Sequence, residues 1–354
     1  NYKLNKFKYM NFVILGHLIK KEDLKTFFPL GKYLPVNMVE KIVSFLPAKK
    51  SFGVASHFKV FNKAEGWFVG IALTPTQMMT LPKEKVREKI LEAILFSQEK
   101  LKAELVMLGA LTAPLTSAGK WLVENPKVKL NITTGNTYTA AISIEAVEKV
   151  LELTSLDLSK IKLAIIGAAG TIGEAITKYF NQKNANLILI ERNDEKFERL
   201  KPSLIGNNYK LTSNLAEIIN ADIIITATSH PTALINPEFL KENAIIIDVA
   251  EPPDVPSNIL DIRPDVICID GGRVKWNNID VGIDLGVPKN VGFACMTEGI
   301  MQALEERREN YIGSVEMEHL KETQEWAKKW GFGLADFTSF NKPIPLERFK
   351  KFKK

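Results

Sequence analysis

Apolar residues along the chain follow two rhythms, and the change between them divides the sequence. In the N-terminal third, short apolar runs mix with longer amphipathic stretches. Phe12–Leu15 reads as a strand ending in Gly16-His17-Leu18, and Phe52–Phe61 and Gly66–Leu73, rich in Val, Phe and Ile, read as two more. Pro82 opens a helix predicted over Lys83–Ala103, with Val86, Ile90, Ile94 and Leu95 on one face at three-to-four spacing. Leu105–Leu108 is a short strand leading to Gly109-Ala110. Thr137–Leu153 is a further helix with Ala140, Ile144, Val147 and Leu151 along one side.

The short polar bridge Asp157–Lys162 marks the expected boundary. After it, apolar strands at Leu163–Ile166, Leu187–Ile190, Asp222–Ala227, Ala244–Val249 and Val266–Ile269 alternate with helical stretches. That alternation predicts a parallel sheet covered on both faces. From Phe293 the chain reads as helices followed by a proline-containing tail. The expected class is α/β: an N-terminal α/β substrate domain (1–157), a Rossmann-like doubly wound parallel sheet (158–290), and a C-terminal helical segment with a basic tail (291–354).

Composition narrows this picture. A chain of 354 residues with 45% hydrophobic and 25% charged residues fits two globular domains, each able to bury a core. Its two cysteines, Cys268 and Cys295, are too few for a disulfide framework or a zinc cluster. No metal site is expected, and a reducing, cytoplasmic compartment is the natural reading. No apolar run approaches the roughly 18 residues that span a bilayer. Asn11–Leu15 is too short for a signal core, and Met10 is a natural start that would make residues 1–9 an extension. The net charge is +6, with much of the excess in Arg348–Lys354. That tail is either a solvated frayed end or a patch attracted to an acidic carrier protein or an anionic membrane surface. No nucleic-acid motif accompanies it, so no nucleic-acid partner is expected.

The strongest chemical signal is Gly167-Ala168-Ala-Gly170-Thr171-Ile172-Gly173, set between a predicted strand and a predicted helix. The first glycine permits the tight turn, the second the approach of a pyrophosphate, and the third close helix packing. The helix N-terminus offers unpaired N–H groups and a positive dipole end. The next strand ends in Glu191-Arg192-Asn193. An acidic residue here suits the ribose of NAD, whereas Arg192 suits the 2′-phosphate of NADP, and the expected cofactor is NADPH. Thr228 and Ser229, after the Asp222–Ala227 strand, fall at the sheet edge, where their hydroxyls either contact the cofactor or cap the next helix.

Cys268 lies inside an apolar strand and reads as packing. Cys295 sits at the start of an amphipathic helix marked by Met296, Ile300 and Leu304, where the dipole favours a thiolate. It is either a structural cysteine or a nucleophile able to hold an acyl group as a thioester. His17 is either a structural histidine or a residue orienting substrate. Thr134, Asn136 and Thr137 precede a helix. Asn136 is either its N-cap or an amide facing substrate or nicotinamide. His230, before Pro231, stands within possible reach of the nicotinamide.

Several motifs coincide with one family. Gly16-His-Leu18, Leu108-Gly-Ala-Leu-Thr112, Thr133-Thr-Gly-Asn-Thr-Tyr-Thr-Ala140, the glycine loop, Arg192-Asn193, Asp270-Gly-Gly272 and Phe293-Ala-Cys295 occur in the order found there. In these the chain resembles the long-chain acyl-[acyl-carrier-protein] reductases, the aldehyde-forming enzymes of cyanobacterial alkane synthesis. The threonine-rich run and the Phe-Ala-Cys run are the specific ones. The glycine loop is shared with shikimate dehydrogenase and glutamyl-tRNA reductase-like domains, and Asp248-Val-Ala-Glu-Pro-Pro253 is similar to the latter. The resemblance implies that Cys295 accepts the acyl group from an acyl carrier protein or CoA thioester. It further implies that NADPH then releases a fatty aldehyde, and that the N-terminal domain forms the acyl pocket. A shikimate-type NADP dehydrogenase of a small hydroxy or keto acid, or a non-catalytic NADP-sensing module, are the alternatives.

Overall fold

The computed structural model describes residues 10–18, 33–230 and 232–351. Residues 1–9 and the last three tail residues lie outside the described residues. The chain forms two compact units, each assembled from several stretches: Asn1–Gly135, Asn278–Leu285 and Cys295–Gly313 in the first, and Asn136–Asn277, Gly286–Ala294 and Ser314–Lys354 in the second.

The first unit is built on five strands: β1 (Met10–His17), β2 (Phe52–Val60), β3 (Ala64–Ile71), β4 (Leu105–Leu108) and β5 (Asn131–Thr133). Their order is β2-β3-β1-β4-β5, with β1 parallel to β3 and β4, and β4 parallel to β5. β2 runs antiparallel to β3. Phe61 and Asn62 turn the hairpin at φ 49° and 50°, left-handed values that match the twist of the flanking strands. Gly16 and His17, expected beyond the first strand, belong to it, because pairing with β3 continues to His17 opposite Ile71.

Three helices of this unit are α1 (Val36–Ser44), α2 (Pro75–Thr80) and α3 (Lys83–Glu99). A capping box starts α2: the Gln77 N–H donates to Thr74 Oγ1 while Gln77 Oε1 accepts the Thr74 N–H. Val86, Ile90, Ala93 and Ile94 of α3 pack with Val13, Leu15, Val69, Val106 and Leu108 of the sheet. The helix stops at Glu99, short of the expected Ala103, because Lys102 takes φ 55°.

In the second unit six parallel strands form one sheet: β6 (Lys162–Ile166), β7 (Asn186–Ile190), β8 (Tyr209–Thr212), β9 (Ile223–Thr226), β10 (Ile245–Asp248) and β11 (Ile267–Asp270). The order is β8-β7-β6-β9-β10-β11. The first strand is thus central, and the winding reverses between β6 and β9, as in dinucleotide-binding folds. Ile223–Ile225 and Ile245–Ile247 are fully buried, as both-face coverage requires. The expected Rossmann-type α/β sheet is therefore present. β8 was not expected. It is an edge strand with no fully buried residue, so Tyr209-Lys-Leu-Thr212 lacks the apolar run of the inner strands.

Around this sheet lie α4 (Asn136–Thr154), α5 (Thr171–Gln182), α6 (Asp194–Leu200) and, later in the chain than α7 (Ala294–Leu304), α8 (Met317–Trp330). α4 packs against α5 and α8. A small antiparallel sheet, also unforeseen, joins β12 (Arg273–Lys275) to β13 (Val291–Phe293) and β14 (Gly333–Leu334). Among the described residues no helix is long and apolar enough to cross a membrane.

The start of the basic tail is not frayed. The Arg348 guanidinium donates to the carbonyls of Pro264 (2.7 Å) and Val266 (2.9 Å), and Phe349 is fully buried beside Phe337. Phe349→Ala should lower the unfolding free energy by about 3 kcal/mol in urea titrations. An unchanged midpoint would show that the ring is not part of the core.

Candidate active site

Two clusters carry the residues that chemistry requires, one in each unit. In the second, the glycine loop links β6 to α5. The N–H groups of Gly167 and Ala168 both donate to the Ile190 carbonyl, which ties the loop to the end of β7. Gly167 has φ 79°, and a β-carbon there would lie 2.8 Å from the Ala227 carbonyl oxygen across the switch point. A β-carbon on Gly173 would lie 2.1 Å from the Gly167 oxygen, so only glycine lets α5 begin this close to the turn. Gly170 flanks the helix start without a side-chain cap, and Thr171, Ile172 and Gly173 form the first turn. Their N–H groups therefore form a cradle suited to a pyrophosphate.

Beyond β7, Glu191 folds its carboxylate back onto its own turn. It accepts the N–H groups of Arg192 (3.0 Å) and Asn193 (3.3 Å), with Lys196 Nζ at 3.9 Å. The Arg192 side chain is exposed. Asn193 caps α6, its Oδ1 accepting the Lys196 N–H. Thr228, after β9, has its hydroxyl engaged: it donates to the Asp254 carboxylate at 2.9 Å and accepts the His230 N–H at 3.2 Å. Ser229 beside it is exposed. His230 Nδ1 lies 2.8 Å from the Thr232 carbonyl.

Sequence reasoning missed a group of carboxyls behind this turn, with Asp254 fully buried and Asp248 half-buried. Asp248 accepts the Thr226 hydroxyl (2.6 Å) and the N–H groups of Ala250 and Val255. Burial, opposed by these bonds, holds Asp248 above the usual carboxylate range. Burial first, then the neighbouring Asp248, pushes Asp254 up to about 7.

In the first unit, Cys295 is the second residue of α7 and is half-buried. It lies against the turn after β5. Gly135 takes φ 70°, and a β-carbon there would fall 2.3 Å from the Cys295 Cα. Buried Thr134 donates its N–H to the Tyr311 carbonyl at 3.1 Å. Thr133 gives its hydroxyl to the Glu298 carboxylate at 2.6 Å, and both residues are fully buried. Neither Thr133 nor Glu298 was anticipated. Glu298 is the one charged residue in Ala294–Leu304, but nothing in the sequence pairs it with Thr133.

His17 ends β1, two strands from β5. Its Nδ1 meets the Leu18 carbonyl at 2.8 Å, while its buried Nε2 has no partner among the described residues. Burial holds its imidazole below the usual value. Asn136 and Thr137 open α4 in the second unit, Asn136 partly exposed and Thr137 buried. Cys268 is buried in β11, where burial pushes its thiol up to about 12. Among the described residues no group of three or more His, Cys, Asp or Glu side chains is arranged to hold a metal.

Residues 146–270, the stretch that carries the six-stranded parallel sheet, match the Shikimate / quinate 5-dehydrogenase family. The chain is 28% identical over 264 residues to Aminotransferase PigE of a Serratia species, covering 71% of this chain and 30% of that protein. It is 28% identical over 188 residues to long-chain acyl-[acyl-carrier-protein] reductase of Synechococcus elongatus, covering 51% and 54%. It is 30% identical over 146 residues to glutamyl-tRNA reductase of Methanocaldococcus jannaschii, covering 40% and 36%. The chain thus spans about half or less of the length of these relatives. Among solved structures, the nucleotide-binding domain of Thermoplasma volcanium glutamyl-tRNA reductase is similar at 23% identity and TM-score 0.28, over 37% of this chain and 84% of that one. L-tryptophan dehydrogenase from Nostoc punctiforme is similar at 11% identity and TM-score 0.41, over 97% and 87%.

The second unit's geometry makes two outcomes testable. Gly173→Val should abolish NADPH binding in fluorescence titration, and retained affinity would mean that the loop is not the cradle. Asp254 has a raised carboxyl pKa in the fold, so its stabilising contribution is complete below about pH 4 and is lost as pH rises through about 7. Asp254→Asn should therefore gain stability relative to the parent between pH 5 and 8, read as a growing difference in denaturation midpoint. A pH-independent difference would refute the buried titration.

Proposed function

We propose that the chain reduces a long-chain fatty acyl thioester, carried on acyl carrier protein or CoA, to a fatty aldehyde with NADPH and through a Cys295 thioester. At the coarser level it is an NAD(P)-dependent oxidoreductase of the shikimate dehydrogenase and glutamyl-tRNA reductase superfamily. The observation that carries the finer reading is the apposition of Gly135 and Cys295. It brings Gly135 and Cys295, far apart in sequence, against one another at a residue able to hold an acyl group.

In this reading the residues divide the work. Gly167, Ala168, Gly170, Thr171, Ile172 and Gly173 hold the pyrophosphate, and Arg192 and Asn193 receive the 2′-phosphate. Occupation of Glu191 by its own turn supports NADP, since its carboxylate is already bonded to Arg192 and Asn193 N–H groups. Ser229 and the Thr228 backbone border the nicotinamide side. Cys295 loses its proton, its sulfur bonds to the acyl carbon as the carrier's C–S bond breaks, and the carrier leaves as a thiol that takes up a proton. When bound, NADPH supplies the hydride that turns the enzyme thioester into an aldehyde and returns the cysteine. His17, Thr134, Asn136 and Thr137 are assigned to the acyl substrate.

A second reading, a shikimate-type dehydrogenase of a small hydroxy or keto acid, is favoured by the family match over 146–270. It needs no cysteine. Incubation with an acyl thioester in the absence of NADPH should add the acyl mass to the parent protein and not to Cys295→Ala. Reductase activity of that variant should fall by at least about 1,000-fold. No acyl adduct on the parent, or hydroxy-acid turnover that survives Cys295→Ala, would replace the first reading with the second.

A further inference from the structure

The proposed chemistry uses the sulfur of Cys295 but leaves unexplained a buried carboxylate one helical turn below it. Glu298 is fully buried, and its Oε1 accepts the Thr133 hydroxyl at 2.6 Å. Residues at i, i+3 and i+4 share one helix face, which puts Cys295, Glu298 and Gly299 on the same side of α7. That side meets the first unit's sheet: a β-carbon on Gly299 would fall 2.8 Å from Met107 Cβ and 3.7 Å from Thr133 Cγ2. The helix therefore rests directly on β4 and β5.

The Thr133 hydroxyl works in two directions. It donates to Glu298 and accepts the Gly135 N–H at 3.3 Å. Gly135 in turn abuts the Cys295 backbone. The same turn is tied to the far end of the segment, where the Thr134 N–H donates to the Tyr311 carbonyl, the Tyr311 N–H to the Ile132 carbonyl, and the Ile132 N–H to Asn310 Oδ1. A carboxylate sealed from water is a costly way to fill space compared with an apolar side chain. What it offers instead is a short, directional hydrogen bond. Dispersion contacts between α7 and the sheet would let the helix slide or rotate by tenths of an ångström. A hydroxyl held at both its donor and acceptor sides resists that motion.

We infer that Thr133 and Glu298 are positioning residues for Cys295: their bond locks the first turn of α7 onto the Gly135 turn and so fixes where the sulfur points. The consequence for turnover rests on the acyl-thioester reading, whereas the alignment of the sulfur does not.

Two readouts keep them apart. The first is the rate of iodoacetamide alkylation at Cys295, followed by peptide mass. The second is kcat and KM with an acyl thioester and NADPH. Thr133→Val, which keeps the volume and removes the hydroxyl, should change the Cys295 alkylation rate by at least about 5-fold. It should lower kcat by roughly 10- to 100-fold with KM within about 3-fold, the scale expected from a misplacement of up to an ångström. Thr133→Ser should restore most of both rates. Glu298→Gln, which keeps size and an acceptor oxygen but replaces the carboxyl group, should fall between parent and Thr133→Val. A Thr133→Val protein that melts lower yet alkylates and turns over like the parent would overturn the proposal, as would Glu298→Gln indistinguishable from the parent should Thr133→Val not fold. If the parent does not reduce acyl thioesters, the functional reading fails and alkylation alone still decides the positioning role.

Discussion

A side chain at residue 135 is sterically incompatible with a cysteine at residue 295, and the first unit's candidate chemistry depends on that exclusion. The β-carbon would fall inside the contact distance of the Cys295 Cα, Cβ and carbonyl oxygen at once. Backbone therefore meets backbone, with no flexible atoms between them to absorb error. The left-handed φ of Gly135 is part of the same constraint, since it turns the chain after β5 without a Cβ penalty. Gly299 repeats the device lower on α7, against Met107. Sterics set how near the helix lies, and the hydrogen bond from Thr133 to Glu298 ties its first turns to the end of β5.

The second unit applies the same physics to a different end. Gly167 and Gly173 bring backbone against backbone so that the first N–H groups of α5 remain presentable to an anion. Behind the β9 turn, the solution is polar instead of steric. Thr226 and Thr228 give their hydroxyls to Asp248 and Asp254, carboxyls that burial makes reluctant to ionise. A carboxyl that keeps its proton can sit beside another without the repulsion that two charges would generate. This lets the chain place two acids behind the turn after β9 without forcing them apart.

Much of this was legible in sequence, and the boundary of legibility has physical causes. The inner strands of the parallel sheet are continuous apolar runs because both of their faces are covered. Leu163–Ile166 and Leu187–Ile190 were recognisable for that reason, and the glycine loop between strand and helix needed no tertiary knowledge. The edge strand β8 and the small β12–β14 sheet escaped because their residues alternate or are exposed. The position of Cys295 at a helix start was legible from the amphipathic pattern Met296, Ile300 and Leu304 that follows it. Glu298 and Thr133 were not: a buried pair joined across the fold leaves no periodic trace in either partner's neighbourhood. Glu191 was legible in type, but only coordinates showed its carboxylate turned onto its own backbone, away from the role its position suggested.

The first unit is assembled from pieces that the ribosome makes at very different times. Its sheet is complete in sequence by Gly135, but the helix bearing Cys295 is made only after most of the second unit. During synthesis the face of β4 and β5 that receives Gly299 and Glu298, including Met107 and Thr133, must wait without its cover while the intervening chain emerges and winds. A nascent chain halted before α7 would carry a nearly finished nucleotide sheet and, in the other unit, an unsealed apolar surface. The helix that carries Cys295 is thereby added late, onto a sheet already made.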